Sequence, residues 1–80
     1  MKTTVHTVNH RGSEEFSVHV VGRRKEPEVV AIFCKGDKQT NRANALDAAR
    51  QLAFELRCKV AMNHGISAVR FDQFLPGDCR

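Results

Sequence analysis

Residues 42–57 read R-A-N-A-L-D-A-A-R-Q-L-A-F-E-L-R, and the fold turns on how they are read. Ala45, Ala49, Leu52, Leu56 and Val60 recur at intervals of three and four, the spacing that lines one face of an α-helix. Alanine and leucine form helices readily because they lose little side-chain freedom there. Asp47, Gln51, Glu55 and Lys59 fall on the opposite, solvated face, with Glu55 and Lys59 in the favourable order at i,i+4. Before this run, Thr40 or Asn41 is placed to cap the helix by accepting from a free N–H of its first turn. After it, Asn63-His64-Gly65 predicts the end, since glycine takes the left-handed conformation that closes a helix.

Working outward, three strand signals precede the helix. Thr3 to Asn9 is rich in threonine and valine. Glu15 to Val21 alternates, with Phe16, Val18 and Val20 on one face and Ser17 and His19 on the other. Glu28 to Cys34 is apolar on both faces, which predicts a central or helix-covered strand. Beyond the helix, Ile66 to Phe74 reads as a closing strand stopped by Pro76-Gly77. The predicted fold is α+β and two-layered: a three-stranded antiparallel meander, one long helix and a returning fourth strand, β-β-β-α-β. With one helix, one sheet face is expected to stay open, and Ser17 and His19 lie on it, where a partner or second copy could sit.

Eighty residues bound the chain to a single domain, 1–80. The 41% hydrophobic and 28% charged content is that of an ordinary globular chain, and no apolar run approaches the roughly 20 residues of a membrane span. The N-terminus, M-K-T-T-V-H, has no apolar signal region, so a cytoplasmic location is expected. Cys34, Cys58 and Cys79 lie far apart and match no paired framework, which makes reduced thiols the expectation. Cys34 reads as a small core residue, and Cys79 as a thiol positioned to cross-link two chains.

No spacing supports chemistry on a substrate. His6 and His10, roughly 13 Å apart along a strand, are too distant to share one zinc. No G-x-S-x-G surrounds any serine, and the five glycines stand singly at 12, 22, 36, 65 and 77 rather than in a phosphate loop. The expectation is a non-enzyme with no catalytic residue, cofactor or metal. All five phenylalanines, 16, 33, 54, 71 and 74, fall in apolar patterns, and with no Trp or Tyr present single-strand stacking is disfavoured.

Charge remains. The formal net charge of +4 favours an acidic partner. Arg23, Arg24 and Lys25 occupy a predicted hairpin tip, and Arg11, Lys38 and Arg42 are further candidates for partner contact, the last two near the helix N-terminus. F-S-V-H-V followed by N-R-A-N-A-L-D-A-A-R-Q-L-A resembles the second half of a double-stranded-RNA-binding domain. The lysine pair that opens that family's helix falls here on Arg42 and Ala43, so one charge is kept, and the family's first helix has no counterpart. The whole chain is similar to the small anti-CRISPR proteins of phages and mobile elements, through T-V-x-x-V, G-S-x-x-F-x-V-x-V, a polar hairpin, an alanine-spaced helix and a final strand. That resemblance implies inhibition by docking on a CRISPR-Cas subunit. The alternatives are a small basic nucleic-acid-binding module and a homodimeric assembly protein.

Overall fold

A computed structural model of the chain describes residues 2–10, 13–62 and 79. The elements run β1 (Thr4–Asn9), β2 (Phe16–Val21), β3 (Glu28–Phe33), α1 (Lys38–Leu56) and β4 (Lys59–Met62). The architecture is α+β, with one mixed sheet ordered β3-β2-β1-β4 and α1 packed on one of its faces. β1, β2 and β3 form the antiparallel meander, and β4 joins β1 in parallel. β1, β3 and β4 therefore run in one direction, and α1 carries the chain back across the sheet from β3 so that β4 can lie parallel to β1.

The core follows from two periods meeting. Alternation in β1 and β2 presents Val5, Phe16, Val18 and Val20 to the helix, with Val5 opposite Val20 and Val18 opposite Ala31. The helix answers with Ala45, Ala49 and Ala53, whose small side chains bring its axis close to the strands. Leu52, Leu56 and Val60 close the flanks.

Several expectations are corrected. The helix starts earlier than predicted: the N-cap is Asp37, whose Oδ1 accepts from the Thr40 N–H at 2.7 Å, rather than Thr40 or Asn41. It also ends earlier, at Leu56, with Arg57 left-handed (φ 53°, ψ 48°). The Arg57 and Cys58 N–H groups donate to the Phe54 and Ala53 carbonyls at 3.2 and 2.9 Å, a Schellman closure without glycine. Lys59 and Val60 thus belong to β4, and Val60 kept the helical period because it faces the same core. The predicted strand Ile66 to Phe74 and the predicted helix end at Asn63-His64-Gly65 lie outside the described residues.

Of the two expectations for β3, helix-covered holds, since Ala31 packs in the core with the α1 alanines, whereas among the described strands β3 stands at the edge of the sheet rather than at its centre. Its pairing with β2 shifts between Val18 and His19, which leaves Val30 38% exposed. Cys34 and Cys79 are paired as a disulfide, Cα atoms 5.7 Å apart, and Cys79 also bridges Ile32. Neither is the free thiol expected; Cys58 is. The sheet face away from α1 is also not open: His6, Val8, Ser17, His19 and Ile32 are all buried there. A count of helices does not decide whether a face is covered. No helix among the described residues is long and apolar enough to cross a membrane.

Candidate functional site

The strand directions give the sheet two different ends. At one lie the start of β1, the β2–β3 turn and the passage from α1 into β4, and Thr4 pairs with both Val21 and Lys59 there. Gly22 holds this end together: its φ is +103°, and a Cβ on it would collide with the Lys2 carbonyl oxygen. The turn is thereby pressed against the N-terminal segment. Lys2, Arg23, Arg24, Lys25, Arg57 and Lys59 collect at this end, six cations against Glu26, Glu28 and Glu55.

Within this group the charges are used differently. Glu28 receives a fork from Arg23, Nε at 3.0 Å and an η nitrogen at 3.1 Å, and also Nε of Arg24 at 3.2 Å. Lys2, Lys25, Arg57 and Lys59 make no ion pair among the described residues. Lys2, Arg57 and Lys59 line a cleft of about 330 Å³ with Thr3, Thr4, Leu56 and Cys58. An anion entering it meets three cations that make no ion pair among the described residues.

The opposite end holds the β1–β2 turn, the β3–α1 link and the first turn of α1. Lys38 and Arg42 are exposed on α1 at this end, so the predicted contact set is split across the molecule. Arg11 lies outside the described residues. Here polar groups bind the fold to itself. Asn41, 1% exposed, donates from Nδ2 to the Glu14 and Gly36 carbonyls at 2.8 and 2.9 Å and accepts the Gly36 N–H at 3.0 Å. Asn9 donates to the Ser13 and Glu15 carbonyls.

Between the ends, Ser17 Oγ and His19 Nε2 share a 2.6 Å hydrogen bond, a nucleophile–base contact that no sequence motif announced. Ser17 is 0% and His19 2% exposed, and His19 Nδ1 is buried without a hydrogen-bond partner among the described residues. A catalytic pair requires substrate access and a group that orients the second nitrogen, and this pair has neither among the described residues. Burial, and then the nearby His6, lower the His19 pKa to about 4, so the ring is neutral at pH 7. His6 faces His19 across the strands, with its Nε2 2.9 Å from Thr4 Oγ1. No group of three or more metal-ligating side chains is found among the described residues.

Phe54 overturns the expectation that every phenylalanine belongs to an apolar pattern, for it is 86% exposed. The signal was available. At about 100° per residue, Phe54 stands about 160° around the helix from the middle of the buried stripe Asn41, Ala45, Ala49 and Ala53. Lys2, Arg57 and Lys59 carried no such signal, because their meeting depends on β4 lying beside β1. Comparison with protein-family models, curated proteins and solved structures finds no match for this chain.

Proposed function

We propose that the protein is a non-enzymatic module that binds nucleic acid through its basic end. The observation that carries this reading is the cleft lined by Lys2, Arg57 and Lys59, three cations without ion pairs among the described residues, with the Arg23–Lys25 turn beside it. Phosphate oxygens are strong acceptors for such groups, and counterion release adds to the affinity. The partial resemblance of β2 through α1 to a double-stranded-RNA-binding domain supports the same class of partner. Contact differs from that family's, because Arg42 sits at the far end of the molecule.

The test is a mobility shift with single- and double-stranded oligonucleotides at about 50 and about 200 mM salt. Retention that falls steeply with salt, and is lost when Lys2, Arg57 and Lys59 are changed together to Glu, is expected. No retention at the lower salt sinks the reading.

A second reading follows the anti-CRISPR resemblance: docking on an acidic surface of a CRISPR-Cas subunit. One observation favours it. Glu28 neutralises part of Arg23 and Arg24, and the fork fixes Arg23 in place, a geometry suited to a discrete protein contact. Loss of target-DNA capture by a purified surveillance complex on adding the protein is the expected result, and unchanged capture rejects it.

A further inference from the structure

Phe54 is the one large apolar side chain of α1 that stands exposed, and it does so in a cationic setting. Arg50 lies one turn before it and Arg57 one turn after, both exposed. Arg57 is fixed relative to Phe54, since its backbone N–H donates to the Phe54 carbonyl at 3.2 Å. Arg57 in turn lines the cleft that holds Lys2 and Lys59. The carboxylates nearby on the helix are Asp47, two turns earlier and bonded to Gln51 at 3.3 Å, and Glu55, about 100° around the axis. An aromatic face at this exposure has no packing role in the monomer, and an isolated apolar side chain with an arginine one turn to either side suits a flat, π-faced ligand that carries negative charge.

We infer that Phe54 is a stacking platform for an unpaired base, and that the basic end is built for single-stranded rather than duplex nucleic acid. The base lies on the Phe54 ring, an adjoining phosphate reaches Arg50 or Arg57, and the strand runs on past Arg57 to the cleft with Lys2 and Lys59. A duplex hides the faces of its bases and offers phosphate alone, so it uses the cations without the ring. This inference rests on the nucleic-acid reading above and deepens it.

The chain contains no tryptophan or tyrosine, which supplies the experiment with its reporter. Phe54→Trp introduces a single indole at an exposed position, and Phe54→Ala removes the ring without touching the core. Binding is measured by anisotropy with labelled oligothymidine of about 12 nucleotides and with a duplex of the same length. Phe54→Ala is expected to weaken single-strand binding roughly tenfold and leave duplex binding unchanged. Phe54→Trp is expected to keep single-strand affinity, with its fluorescence quenched by oligothymidine and unquenched by polyglutamate. Equal single-strand affinity for Phe54→Ala, or quenching by polyglutamate to the same extent, overturns the inference. If the first result comes with binding that still depends on Lys2, Arg57 and Lys59, the nucleic-acid reading stands without the stacking site. If neither oligonucleotide binds at low salt, that reading fails and takes this inference with it.

Discussion

Both ends of the sheet carry polar groups, and they differ in where those groups point. At the β1–β2 turn and the start of α1, Asn41, Asp37 and Asn9 bond to the backbone, and the Cys34–Cys79 disulfide lies beside them. At the other end, Lys2, Lys25, Arg57 and Lys59 face outward without ion pairs among the described residues. Polar groups that satisfy buried backbone hold a fold together, whereas exposed unneutralised charge adds little to stability and is available to a ligand. The first end should therefore respond to mutation in stability and the second in binding.

The largest expected effect is at the structural end. The disulfide closes a loop with a sequence separation of 45 residues, which on chain entropy alone corresponds to about 4 kcal/mol. Cys34→Ser with Cys79→Ser should lower the urea midpoint accordingly and leave anion binding intact. A midpoint that neither this change nor a reductant moves would remove the disulfide from that end's account.

Acid should act next, on the buried pair between the ends. His19 has a pKa of about 4 in the fold against an ordinary value of 6.5. The unfolded chain therefore takes up a proton that the native ring refuses, and stability falls as pH drops from 6.5 to about 4, by up to about 3 kcal/mol, then levels off. Denaturant melts across that range measure the loss. An imidazole of His19 that titrates near 6.5 by NMR would contradict its burial.

Asn41→Ala is expected to cost about 2 to 3 kcal/mol, because it leaves the Gly36 N–H and the Gly36 and Glu14 carbonyls without their partner. Oligonucleotide affinity should be unchanged, as measured on the folded fraction. A loss of affinity comparable to that of the cleft variants would blur the division between the ends.

Arg57→Gly sharpens the comparison most, since its two effects have opposite signs. Relief of the left-handed conformation should stabilise the fold by about 1 kcal/mol, while removal of a cleft cation weakens anion binding. Thermal melting and anisotropy on the same variant decide it, and any result in which the two move together speaks against the separation. Smallest is Lys25→Glu, expected to shift stability by less than about 0.5 kcal/mol while reducing affinity.

The helix and the meander were legible because their signals are local. Ala45, Ala49 and Ala53 repeat with the helical period, and Phe16, Val18 and Val20 with the strand period, whatever the rest of the chain does. Element ends were less legible. Arg57 closes α1 in a conformation usually left to glycine, and nothing in F-E-L-R-C-K announces it. The candidate site was legible only at the turn, where Arg23, Arg24 and Lys25 are neighbours in the chain. Lys38 and Arg42 were grouped with them by charge alone, and strand direction places them at the other end.

The sequence by itself determined the α+β class, the meander, the helix-facing core and, through helical phase, the outward position of Phe54. Each of these follows from side-chain periodicity within about 20 residues. Only the tertiary structure decided that β4 lies parallel to β1, that Cys79 returns to Cys34, that His19 is buried neutral, and that Lys2 meets Arg57 and Lys59. Those facts are pairings between distant segments. They are chosen by the total burial and hydrogen bonding that each arrangement achieves, a quantity no local pattern contains.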